Sequence, residues 1–236
     1  VAQRKQNTTK ELTMSCFLFE THAHTSEVSR CAQIPAAKVI ADYESAGYDG
    51  IVITDHMNEG SIGRLKNRPW DEKVDFFING YNKALEAAER SGKGMTVLLG
   101  AEVCFDKDPN DYLVFGISED FLRRCGDLTS LGLKNFRKIA DENNLLIFQA
   151  HPFRVSMAVT DYRILDGIEV YNGNSSHNSN NDAAMFWADK YSLLKSSGSD
   201  FHGMWGMKPG GIYFESPVRT NSDFISALKE NNYLLK

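Results

Sequence analysis

At 236 residues, with 42% hydrophobic and 24% charged side chains, the chain has the makeup of a globular domain and could bury about 70–75% of its unfolded surface in one core. Its net charge is −5, and it has no basic stripe beyond pairs such as Arg123-Arg124; this argues against a surface built for nucleic-acid backbone. No apolar run approaches the ~18 residues of a membrane span, so neither a membrane nor a nucleic acid is an expected partner.

The polar start, Val-Ala-Gln-Arg-Lys-Gln-Asn-Thr-Thr-Lys, lacks a signal-peptide core. Residues 1–13 are expected to be peripheral to a single domain covering 1–236. Cys16, Cys31, Cys104 and Cys125 form no Cys-x-x-Cys pair and are expected to be buried, reduced thiols of a cytoplasmic protein.

In chain order, Cys16 to Glu20 reads as a first strand. A helix follows from Pro35 to Ala46, opened by proline and stopped by Gly47. Gly50 to Thr54 is a second strand. From Pro69 to Ser91 the apolar residues Val74, Phe77, Ile78, Tyr81, Leu85 and Ala88 have helical spacing, and Gly92 ends the run. Met95 to Ala101 and Tyr112 to Phe115 are strands three and four, and Ser130 to Asn144 is a helix. Strands five (145–150), six (Gly167 to Tyr171) and seven (Leu193 towards Ser199) follow, with a helix over Asn181 to Tyr191 before the last. Ile212 to Phe214 is a late strand and Asp223 to Asn231 a closing helix. Alternating strand and helix predicts an α/β fold with a parallel sheet. Polar residues beyond the strand ends favour a β/α barrel of about seven strands over an open sheet, with the working site at the carboxyl rim of the strands.

Chemistry gathers at those strand ends. His22 and His24 are two apart in an extended segment and so point to one side. Asp55-His56 follows Ile51 to Thr54, Glu102 closes strand three, His151-Pro152 closes strand five, and Asp200-Phe-His202 follows Ser199. Taken singly, each reads as well as a packed or hydrogen-bonded core residue. Together they would crowd imidazoles and carboxylates at one rim. Two bare carboxylates about 4 Å apart repel by roughly 4 kcal/mol at an effective dielectric near 20, a penalty that divalent cations remove. In this reading His56 is a ligand and Asp55 orients a ring from behind, while Glu102 can bridge two ions.

These motifs resemble the polymerase and histidinol phosphatase (PHP) family of metal-dependent phosphoesterases. The resemblance runs from His22-Ala-His24-Thr-Ser through Ile53-Thr-Asp-His56, Gly100-Ala-Glu102, Ala150-His-Pro152 and Gly167-Ile-Glu-Val-Tyr-Asn172 to Ser197-Gly-Ser-Asp200-Phe-His202. It implies a distorted barrel of about seven β/α units and two or three divalent ions: zinc, manganese or iron, with magnesium also compatible. His22, His24, Glu102 and Asp200 would hold one ion. Glu102 and His151 would be shared with a second, and His56 and His202 would belong to the third. Where many members carry histidine this chain has Asp111, a harder ligand. Where members tend to have Asp or His after the first motif, Glu27 is the acid on offer. The reaction implied is hydrolysis of a phosphate monoester of a small metabolite or nucleotide through a metal-bridging hydroxide, with Asp200, His202 or a metal-bound water supplying the leaving group's proton.

Arg154 is a candidate for holding the phosphate by a two-pronged hydrogen bond, as are Arg30 and Lys208, and His177 sits in a polar loop on the same rim. Cys31 lies near the first motif, within reach of an ion. Trp205, just beyond His202, is the tryptophan best placed as a substrate platform. Competing readings are an exonuclease, disfavoured by the net charge, and a catalytically silent metal-binding module. A third is an amidohydrolase-type C–N hydrolase, which usually needs a bridging lysine that these motifs lack.

Overall fold

A computed structural model describes residues 16–203 and 208–236; the expectations for residues 1–13 and for Trp205 fall outside them. The chain forms a mixed α/β fold whose strands lie in two hydrogen-bonded sheets. One has the order β11-β10-β1-β2-β4, from Tyr233–Leu235, Ile212–Phe214, Phe17–Ala23, Gly50–Ile53 and Thr96–Leu99. The other has the order β3-β5-β6-β7-β8-β9, from His56–Met57, Ala101–Cys104, Asp111–Phe115, Leu146–Gln149, Gly167–Asn172 and Leu194–Gly198.

The two sheets continue into one another. β2 passes into β3 and β4 into β5 after short breaks, and the pairs β2–β4 and β3–β5 are both parallel. At the other side β1 meets the end of β9. Ala23 bridges Phe201 in parallel, the Asp200 N–H donates to the His22 carbonyl at 2.9 Å, and Thr21 Oγ1 donates to the Ser197 carbonyl at 2.9 Å. The sheets thus curl into a distorted barrel, with β10 and β11 added antiparallel on the far flank of β1.

The expectation of parallel strands fails at one place that matters. β6 runs antiparallel to both β5 and β7, so Asp111 at its beginning stands on the same rim as the ends of its neighbours. The stretch from Phe105 to Asn110 is too short for a helical crossover, and a strand joined by so short a link returns antiparallel.

Among the described residues six α-helices pack around the strands: α1 Ala36–Ser45, α2 Trp70–Ser91, α3 Glu119–Cys125, α4 Leu133–Glu142, α5 Asn181–Tyr191 and α6 Asn221–Glu230. α1 buries Ala36, Val39, Ile40 and Tyr43, one face of a 3.6-residue period. α2 stops at Gly92, whose φ of +67° suits the left-handed cap. α3 was not foreseen. Seven residues are too few for a periodic signal, although Ser118 caps it by accepting the Phe121 N–H. α6 carries a capping box at Thr220 and Asp223, and its Phe224, Ile225 and Leu228 pack with Phe19, Phe115, Phe148 and Phe214 from the strands. That aromatic core, and the interlock of β1 with β9, holds the rim in place.

Candidate metal centre

Three groups of side chains on the rim bring ligand atoms within 4.8 Å of one another: His22, His24 and Glu102; Glu102, Asp111 and His151; and His24, His56 and His202. Asp200 closes the first. His22 Nε2 and His24 Nε2 lie 3.4 and 3.3 Å from Glu102 Oε2, and 3.4 and 3.2 Å from Asp200 Oδ1. These separations are long for hydrogen bonds, but two ligands each about 2.1 Å from a tetrahedral ion sit about 3.4 Å apart. His56 Nδ1 and His151 Nε2 approach the two oxygens of Glu102 at 2.8 and 3.0 Å, so that carboxylate faces both sides of the cluster.

Partners behind the rings fix which nitrogen looks inward. His22 Nδ1 donates to Glu169 Oε1 at 2.8 Å, which turns Nε2 to face the centre. The Ser29 hydroxyl gives its proton to Asp55 Oδ1 at 2.7 Å, so its oxygen accepts from His24 Nδ1 at 3.3 Å and from the His56 N–H at 3.0 Å. Asp55 therefore orients His24 through Ser29, and not by direct contact with a ring as expected. Two ligand residues also hold the left-handed backbone region that non-glycine residues rarely adopt, His151 at φ +29° and Asp200 at φ +51°. Such strain gathers at functional sites.

The electrostatics call for positive charge. His22, His24, Glu102, Glu169, His151 and Asp200 are all at most 3% exposed. Burial pushes Glu102 up, yet His56, His22 and His151 around it hold it well below the usual carboxylate range. Burial pushes Asp200 up too, yet the His22, His177 and His24 rings beside it hold it well below the usual carboxylate range. Burial and the neighbouring His202 and His56 hold His24 well below the ordinary imidazole value, so it stays neutral. Burial, with the Glu102 charge behind it, raises Asp111.

The donor set fits divalent ions on one further observation. His22 Nε2, His24 Nε2, His56 Nδ1 and Glu102 Oε2 are buried and have no hydrogen-bond partner. Each such orphan costs about 1–3 kcal/mol, and the three imidazole nitrogens gathered around Glu102 Oε2 suit coordination in their chemistry and their placement.

No protein-family model matches the sequence, and no curated protein matches it significantly. Solved structures do match the fold. A two-domain protein from Bacteroides vulgatus, described as containing a predicted PHP-like metal-dependent phosphoesterase, superposes with a TM-score of 0.69 at 16% identity, covering 100% of this chain and 69% of its own. The fold is that of the PHP-like phosphoesterases. PsfC from Pseudomonas syringae shares it with a TM-score of 0.66 at 16% identity, over 90% of this chain and 89% of its own. An amidohydrolase from Chromobacterium violaceum, solved with bound sulfate and no metal, matches at 0.51 and 17% identity, over 92% and 97%.

On this PHP-like frame the rim brings together His22, His24, His56, Glu102, Asp111, His151, Asp200 and His202. Glu27 is not among them. Its Oε2 accepts the Ala36 N–H at 3.0 Å at the start of α1, and its Oε1 faces Lys83 Nζ at 3.8 Å. Cys31, four residues on, is nearer the cluster, with its Sγ 3.1 Å from His202 Nε2. Against burial, His202 and His56 lower that thiol to about 6. The expectation of buried thiols also fails, since Cys16 and Cys31 are exposed and Cys104 and Cys125 half-buried. All four are free.

A cavity of about 320 Å³ opens over the cluster, and Arg154, His177 and Lys208 line it. Arg30 is exposed and does not. Arg154 Nη2 is 3.8 Å from Asp111 Oδ2, and His177 Nε2 is 3.6 Å from Asp200 Oδ2. Asp200, expected as a proton donor, is 3% exposed and held ionised, which suits a ligand and not an acid.

Two buried carboxylates had no assigned role in the sequence. Glu169 takes N–H bonds from His22 Nδ1, the His151 backbone at 2.9 Å and Asn172 Nδ2 at 2.9 Å. Glu20 Oε1 accepts three backbone N–H groups, of Thr21, His22 and Ser199, at 2.8–2.9 Å, and so ties β1 to the chain after β9. Their signal was a charged residue inside an apolar strand, which is costly unless satisfied.

Proposed function

We propose that the protein is a metal-dependent hydrolase of phosphate monoesters, acting on a small phosphorylated metabolite or nucleotide. The observation that carries this reading is the convergence of unpartnered, buried His22 Nε2, His24 Nε2 and Glu102 Oε2 on one point beside Asp200, beneath a cavity that also holds an arginine and a lysine. His22, His24, Glu102 and Asp200 would hold one ion, Glu102, Asp111 and His151 a second, and His56 and His202 a third. Bound divalent ions lower the pKa of a coordinated water and neutralise charge on phosphoryl oxygens.

The chain's own groups do the rest. Arg154 offers a planar pair of N–H donors to the phosphoryl oxygens, and Lys208 adds a point charge at the cavity wall. Ser179 Oγ, 3.2 Å from His177 Nδ1, steadies that ring so that Nε2 faces the cavity beside Asp200. There it can hand a proton to the departing oxygen. Glu169 and Ser29 keep the His22 and His24 rings turned inward. The net charge of −5 disfavours a nucleic-acid substrate. The likeness to an amidohydrolase keeps amide hydrolysis as a second reading.

Turnover of p-nitrophenyl phosphate and of an amide panel with zinc, manganese and iron(II) tests this. Metal-dependent phosphate release, lost in His151→Ala, is expected. Amide cleavage without phosphate release would overturn the phosphoesterase reading in favour of the second.

A further inference from the structure

The cluster is not chemically uniform. One end, Glu102, Asp111 and His151, is rich in carboxylate oxygen. At the other, His24, His56 and His202 bring three imidazole nitrogens within 4.8 Å, and the next donor is sulfur, with Cys31 Sγ 3.1 Å from His202 Nε2. The thiol is not a stray surface group. It lines the same cavity as the cluster. Its turn is pinned on both sides, by the Ser29 hydroxyl on Asp55 at 2.7 Å and by the Gln33 N–H on the His202 carbonyl at 2.8 Å.

The imidazoles independently point to a ligand in this gap. The buried His56 Nδ1 has no hydrogen-bond partner, and the fully buried His24 ring lies 4.4 Å from the His56 ring and 4.3 Å from that of His202, closing the gap from behind. His202 Nδ1 donates to the Asp200 carbonyl at 2.9 Å, which turns Nε2 towards Cys31 as the free donor atom. The nitrogens of His56 and His202 and the Cys31 sulfur make this the softer end, with Glu102 Oε2 2.8 Å from His56 Nδ1 and Asp200 Oδ1 3.3 Å from His202 Nδ1 on its inner side. Soft thiolate ligands select zinc and its like, while carboxylates suit manganese and magnesium.

We propose that Cys31 is a thiolate ligand to an ion held with His56 and His202, so that the centre has a soft nitrogen-and-sulfur end and a hard carboxylate end and takes unlike metals at the two. The Cys31 proton leaves to solvent as the sulfur–metal bond forms. This inference rests on the metal-centre reading above and adds its selectivity.

Cobalt(II) titration of metal-free protein, followed by absorption, tests it in the wild type, Cys31→Ser and Cys31→Asp. The wild type should show a near-ultraviolet thiolate-to-cobalt charge-transfer band that both variants lack, while the weaker visible bands of cobalt at the hard end persist in all three. Cys31→Ser should weaken zinc binding by at least about ten-fold, the least that loss of even an outer partner does. Cys31→Asp should keep the ion count and shift preference towards manganese, which also shows that the turn folds. Cobalt bound with the same spectrum in all three would overturn the thiolate assignment and leave the metal centre standing. Cobalt bound by none of them would overturn the metal centre itself, and the inference with it.

Discussion

Glu169 does not line the cavity, yet it accepts from the His22 ring and from the His151 backbone and so positions two residues of the cluster at once. Glu169→Gln keeps the shape and removes the charge. It should weaken metal binding by about 10–100-fold, measured by isothermal titration, with the fold intact by circular dichroism. Arg154→Ala is expected to leave metal content unchanged and to raise KM for a phosphate ester. Loss of a charged hydrogen bond worth about 1.5–3 kcal/mol corresponds to roughly ten- to hundred-fold. Glu27→Ala should leave metal content unchanged as well, because Glu27 serves α1 and Lys83. The gathering of these residues at the rim was legible because histidine and acid after an apolar strand have few other uses. Glu27 misled because its acid type matched while its direction, set by the turn over 25–32, does not show in spacing. The nearness of Cys31 to His202 is hard to read from sequence for the converse reason, since a lone thiol is most often packing.

At the scale of elements, the rim depends on how closely β1 and β9 approach. A Cβ at Gly198 would lie 2.4 Å from His22 Cβ and 2.9 Å from Glu169 Oε1. Gly198→Ala should therefore lower both the Tm and the metal content. Gly80 plays the same part for α2, whose missing side chain makes room for Asp55 Oδ2 and Thr25 Oγ1, each 2.3 Å from a built Cβ. By contrast Thr220→Ala at the capping box of α6 should cost about 1 kcal/mol of stability, read by chemical denaturation, and leave metal content alone. Most helices and strands were legible from periodicity and from their Pro and Gly boundaries. The direction of β6 was not, because strand direction depends on the length and path of the connection, and hydropathy is blind to it. That reversal is what makes Asp111 a rim residue although it precedes its strand.

For the whole molecule, a buried cluster of ligand-type atoms without hydrogen-bond partners ties folding to ion binding. An ion that binds only the folded chain stabilises it by about 2.7 kcal/mol at 100 times its Kd. A chelator should then lower the Tm measurably, and zinc or manganese should restore it. Anomalous diffraction from crystals grown with zinc or manganese tests the central claim most directly. The account predicts an ion ligated by His22 Nε2, His24 Nε2, Glu102 and Asp200, with further density at the Glu102, Asp111 and His151 side. Anomalous density only on surface residues, with those four side chains turned from one another or bonded among themselves, would contradict it.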